Sequence, residues 1–237
     1  HVTAEREKDR KARIERERLA ALAQSRGVEA EFFHHLAACV TLQQGCDLGQ
    51  LPALAREERE AMGAPQSMPD EALAERLADA LPVADGRLQP IRPDLIGEIF
   101  CLEAIAGGRT RSDELRSAII ARCWRRSPIE VAGSLIRCAT DWAAGDRPHP
   151  AVCWLDEATR HSTDIEELIA IARQIPGQSR ALGGYATMLH QRMLAATPSP
   201  SLQATAHADI AARLIHDGEH AAAAEHAAAA LSLFTQL

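Results

Sequence analysis

Residues 88–98 read LQPIRPDLIGE, and how this stretch is read decides the organisation of the rest. Pro90 and Pro93 each lack a backbone N–H, so this is where an otherwise helical chain stops being helical. Just upstream, Asp85-Gly86 lies between two short apolar segments, Leu81–Val83 and Leu88–Ile91, which is a tight-turn signal for a β-hairpin. The alternative is that 82–92 is a plain proline-containing loop. Just downstream, Asp94 stands before LIGEIF, where its carboxylate is placed to accept from the first backbone N–H groups of a helix. The stretch divides the chain and joins a hairpin to a helix.

On the N-terminal side, three segments carry helical periodicity. EFFHHLAACVTLQQG (31–45) spaces Phe32, Phe33, Leu36, Cys39, Val40 and Leu42 close to 3.6 residues, as a core helix does. LGQLPALAREEREAMG (48–63) has an apolar start and a charged end. SMPDEALAERLADALP (67–82) offers Ser67 as a cap, Pro69 near its first turn, and a stripe of Leu73, Leu77 and Leu81. Helix, helix, helix, hairpin is the order of a winged-helix module, placed here at 28–107. Ahead of it, residues 1–27 form a charged linker helix whose few apolar residues, Ile14, Leu19 and Leu22, are expected to pack on something upstream.

Beyond Gly107-Gly108 the texture changes to helices of fairly even length. SDELRSAIIARCWRR is capped by Ser112, and SPIEVAGSLIRCATDWAAG opens with Ser127, Pro128 and Glu130 as a capping box. The last two segments, ending in EHAAAAEHAAAALSLFTQL, place Ala211, Ala212 and Leu214 ahead of Gly218, then Ala221, Ala224, Ala227 and Phe234. Small residues at such helix approaches suit a tetratricopeptide-like solenoid over 108–237. The fold class expected is all-α: a winged-helix-like module with one short hairpin, followed by an array of helical hairpins.

Pro90, Arg92, Pro93, Asp94, Leu95, Gly97 and Glu98, running into IFCLEAIAGG, also resemble the winged-helix segment of bacterial STAND signalling ATPases of the NACHT and NB-ARC kind. The resemblance covers roughly residues 5–107 by order of elements. It implies a regulatory fragment that relays nucleotide state, an upstream P-loop ATPase domain and a downstream repeat array that holds a protein partner. In NB-ARC relatives this position carries Met-His-Asp then Leu, and the His touches the ADP phosphate. Asp94 and Leu95 keep that pattern, but Pro93 stands where the His would be and has no side-chain donor. Arg92, Pro93, Asp94 and Glu98 are therefore switch or hinge candidates rather than nucleotide ligands. The chain opens on His1 and is read as a piece of something longer.

Composition excludes several functions. Aromatic residues make up only 3% of the chain, which favours packed helices over sheet. Net charge is -7, a poor footprint for nucleic acid. The only lysines, Lys8 and Lys11, have no glycine near them, so no phosphate-binding loop is present. Six cysteines without a CxxC read as reduced thiols in the cytoplasm, and no apolar run is long enough for a membrane span.

His34, His35, Cys39 and Cys46 match no zinc spacing, and core helix is the better reading. Cys123 and Cys153 with His149 or His161 lack an organised base and oxyanion hole. Gly183-Gly184 is read as close helix packing. No catalytic, cofactor or metal residue is assigned. Trp124, Trp142 and Trp154 are inter-helix wedges, or interaction anchors wherever a ring is left exposed. The rival functions are a stand-alone helical scaffold for protein partners, a winged-helix DNA-binding regulator, and a metal-dependent helical enzyme.

Overall fold

The computed structural model describes residues 2–25, 29–92, 94–106, 112–141, 149–160, 162–177 and 179–237. Among them are twelve α-helices, one short 3-10 helix (Leu48–Gln50) and three two-residue strands. The chain divides into two compact units, His1–Ser134 and Leu135–Leu237. That division falls inside a helix rather than at Gly107-Gly108, which lies outside the described residues.

The first unit is built round α2 (Ala30–Leu42), ten of whose thirteen residues are buried. α1 (Val2–Ser25) and α5 (Asp94–Ala106) pack on it and on each other, and α3 (Leu51–Met62) packs on α4 (Asp70–Ala80). The partner of α1 therefore lies within this chain: Leu19 and Ala23 are buried, while Ile14 is 49% exposed. Gly27, expected to end α1, lies outside the described residues. Ser67 does not cap α4; Pro69 occupies the cap position and makes no side-chain bond.

The hairpin is present. β2 (Val83–Ala84) and β3 (Arg87–Leu88) pair antiparallel across a two-residue turn in which Asp85 has φ 52° and Gly86 φ 71°. Positive φ at both central residues is the turn that follows the natural twist of paired strands, and Asp and Gly tolerate it best. A third strand, β1 (Cys46–Asp47), pairs with β3 on its other edge, giving the order β1-β3-β2. The element order is thus helix, strand, helix, helix, hairpin. The inserted strand is an addition to what the sequence pattern announced.

The hairpin exit is clamped to α2. Ile91 donates its backbone N–H to Thr41 Oγ1 at 3.2 Å, and Cys101 on α5 donates to the Ala38 carbonyl at 3.5 Å. Gly97 sits so close that an added Cβ would meet the Ile91 carbonyl oxygen at 2.6 Å and Thr41 Cγ2 at 3.0 Å. The glycine of LIGE is there because α5 starts against the backbone of its own lead-in.

α6 (Asp113–Arg126) is capped by Ser112, which accepts from the Leu115 N–H, and α7 opens at Pro128 (Pro128–Asp141), both as the sequence indicates. In the second unit α8 (Pro150–Thr159), α9 (Ile165–Ala172), α10 (Gly183–Ala196), α11 (Pro200–His216) and α12 (His220–Phe234) follow. α9 packs on α10, α10 on α11 and α11 on α12. Gly183 and Gly184 start α10 rather than lying within a helix. A Cβ on Gly184 would have nothing within 4 Å, so close packing does not explain the pair. On α12 the buried positions are Ala223 and Ala230, whereas Ala221, Ala224, Ala227 and Phe234 are exposed. The alanine pattern expected of the last hairpin is therefore out of phase with the face that packs. No helix among the described residues is long and apolar enough to cross a membrane.

Helix propensity says that Gly97→Ala should stabilise α5 by about 1 kcal/mol. The contacts say the opposite, and overpacking of this kind costs about 1–3 kcal/mol. Urea unfolding should therefore show Gly97→Ala less stable than wild type. Unchanged or raised stability would mean that α5 does not approach Thr41 and Ile91 this closely.

Candidate functional site

Arg92 is exposed, and Glu98 is buried on α5. Pro93 and the side chain of Asp94 lie outside the described residues, so the cap and the switch contact expected there are not described; α5 begins at Asp94. Trp124 and Trp154 are each 8% exposed. Trp142 lies outside the described residues.

Chemistry gathers instead beneath α2, at a residue the sequence pattern disguises. Glu58 on α3 is fully buried. An isolated carboxylate there would be untenable without compensating charge and hydrogen bonds. Arg122 from α6 supplies both, with Nε 3.0 Å from Oε1 and Nη2 2.7 Å from Oε2. Arg126 adds a contact to Oε1 at 3.2 Å and also reaches Glu57. From α2, His35 places Nε2 at 2.9 Å from Oε2. A carboxylate cannot donate, so that nitrogen carries the proton. Burial alone would raise the Glu58 pKa, but the hydrogen bonds and charges of His35 and Arg122 outweigh it and push it down to about 2.

Two thiols complete the group. Cys39, one turn along α2 from His35, has its Sγ at 3.6 Å from His35 Nε2. Its interaction with Cys123 of α6 and its burial together hold its pKa well above the usual thiol range. That is the opposite of an activated nucleophile. Gln43 Nε2 bridges from the Cys39 carbonyl (2.9 Å) to Cys123 Sγ (3.7 Å).

The grouping of His34, His35, Cys39 and Cys46 weighed from sequence is split by the fold. His34 turns to α1, with Nε2 at 2.9 Å from the Arg16 carbonyl oxygen, and Cys46 belongs to β1. Only His35 and Cys39 share a site, and their companion is Glu58.

Beside this network lies an open polar cleft of about 380 Å³ between the sheet and the ends of α3 and α6. Gln43, Cys46, Asp47, Glu57, Arg87 and Arg126 line it. Two guanidinium groups face two carboxylates, so the cleft has no net preference for an anion. Arg126 and Gln43 belong to both cleft and network, and so connect the buried charge to solvent.

No known protein family, curated protein or solved structure matches the chain.

Removing one partner of a buried ion pair strands the other, at a cost of about 3–5 kcal/mol. Arg122→Ala should approach that loss in urea unfolding, softened by Arg126. Arg125, whose side chain is 67% exposed in its contact with Glu57, should cost no more than about 0.5 kcal/mol as Arg125→Ala. Equal effects from the two would show that Glu58 is not held as a buried anion.

Proposed function

We propose that the chain is a non-catalytic regulatory module, a winged-helix-type unit followed by an array of helical hairpins, and that it works through a protein partner. The observation that carries this reading is the placement of residues 83–92 and 94–106. A hairpin completed by an inserted strand leads through LQPIRPDLIGE into α5 and is fastened to α2 at Thr41 and Gly97. The order helix, strand, helix, helix, hairpin and the strand order β1-β3-β2 support the winged-helix reading. The consecutive packing of α9 through α12 supports the array.

In this reading the module belongs to a STAND-type signalling ATPase, and a P-loop ATPase domain is the partner that the relay requires. The hairpin, its exit and α5 move together in this reading, because Ile91 and Gly97 both lie against Thr41 of α2. Such a switch acts only if a partner or ligand binds its two positions with different affinity. The fragment itself does not hold the nucleotide: its sequence has no phosphate-binding loop, and proline replaces the histidine donor at 93.

A DNA-binding role is disfavoured by α4, the helix that would enter a groove. Its exposed face carries Glu71, Glu75 and Asp79 at four-residue intervals, with Arg76 beside them. Three carboxylates in line repel phosphate. Its remaining acid, Asp70, is buried against Arg56 and Arg59 and so does not face solvent.

Calorimetry of the full chain should detect neither ATP nor ADP binding at micromolar concentrations. Micromolar nucleotide affinity would sink the division of labour between this module and an ATPase partner. Duplex DNA should bind no better than non-specifically; tight binding that weakens steeply with salt would replace this reading with a DNA regulator.

A further inference from the structure

We infer that His35, Cys39, Glu58 and Cys123 form a structural zinc site that ties α2, α3 and α6 together. The ligand atoms of His35, Cys39 and Glu58 all lie within 4.8 Å of one another and all three residues are buried. Their separations already approximate the edges of a coordination tetrahedron. Zinc bonds of about 2.0–2.3 Å imply ligand–ligand edges of about 3.3–3.6 Å. The S···N edge from Cys39 to His35 is 3.6 Å and the N···O edge from His35 to Glu58 is 2.9 Å, so the second needs to open by a few tenths of an ångström. Cys123 of α6, bonded by the same Gln43 Nε2 that holds the Cys39 carbonyl, lies just outside that group and brings the second sulfur by closing on it. Nitrogen, sulfur and a single carboxylate oxygen in a dry pocket are a donor set suited to zinc rather than to calcium or magnesium.

Charge decides whether two arginines beside the site repel a cation or complete it. Two thiolates and one carboxylate give -3, and a divalent ion leaves -1. Arg122, bidentate on Glu58, cancels that remainder, while Arg126 is paired with Glu57, which the exposed Arg125 shares. Arg122 is then an outer partner that fixes the orientation of a ligating carboxylate, as such ligands usually require. The bonds from His35 to Cys39 and from His35 to Glu58 run along the edges a metal would span. Binding exchanges those contacts for bonds to the metal. The proton on His35 moves from Nε2 to Nδ1, and the two thiol protons leave to solvent. The entry path is the neighbouring cleft, where Gln43, bonded to Cys123, and Arg126, bonded to Glu58, form the wall next to the ligands.

The test is cobalt(II) titrated into the reduced full chain, followed by zinc. One equivalent should produce thiolate-to-cobalt charge-transfer absorption and the strong visible bands of a tetrahedral ion, and zinc should displace both. Cys39→Ala, a small change in an apolar setting, should weaken cobalt binding by more than about tenfold. Cys153→Ala, which removes an exposed cysteine, should leave it unchanged. Circular dichroism verifies that each protein is folded. Folded wild-type protein that shows no charge-transfer band overturns the site, as do equal cobalt affinities for the Cys39 and Cys153 variants.

Discussion

A helix buried on nearly all sides has to find a partner for every polar group it carries, and α2 is such a helix. Its apolar residues set how many elements surround it: α1, α3 and α5 pack on it. Its polar residues set where those elements lie. Thr41 cannot be left unpaired, and it returns its proton to the Ala37 carbonyl while accepting from Ile91, which pins the hairpin exit. Gln43, at the C-terminal cap of α2, spans to Cys123 and His35 to Glu58, which brings in α6 and α3. Each of these buried polar groups fixes one neighbour, so the first unit has one centre rather than several.

The parts that were legible in the sequence had a strict local cause. Asp85-Gly86 marks a turn because few residue pairs tolerate positive φ twice in succession, and the hairpin is where that pair puts it. Serine before an acidic first turn marks the start of α6 for a similarly local reason. β1 left no such mark. Two residues cannot establish a period of two, and Cys46-Asp47 is a strand only because β3 offers a free edge.

Glu58 was legible in principle but masked by its chemistry. The buried residues of α3 are Leu51, Leu54, Ala55, Glu58 and Arg59, an unbroken i, i+3, i+4, i+7, i+8 stripe. Read by residue type, REERE is a solvated end. Read by phase, its middle Glu and the Arg after it continue the core face. The opposite failure occurs in α12, where alanine is so frequent that it carries no phase at all. There Ala223 and Ala230 are buried while Leu231 and Phe234, the larger apolar residues, are exposed. Periodicity is informative only where residue types contrast along the helix.

LQPIRPDLIGE combines a local signal with anchors that only the fold supplies. Its prolines and Asp94 suggested a hinge, a place where the chain bends. On either side of Pro93, Ile91 and Gly97 are held against Thr41 on the most buried helix of the unit. Close-packed interiors transmit displacement instead of absorbing it. A push on the hairpin would reach α2 through Thr41, and α2 meets α3 and α6 through a buried carboxylate that cannot lose a partner without a cost of about 3–5 kcal/mol. The charge network therefore sets the limit on how far the hairpin can move while the first unit stays intact. Any displacement of the hairpin must either keep the Glu58 contacts or exchange them together, which is the constraint that the proposed switch has to meet.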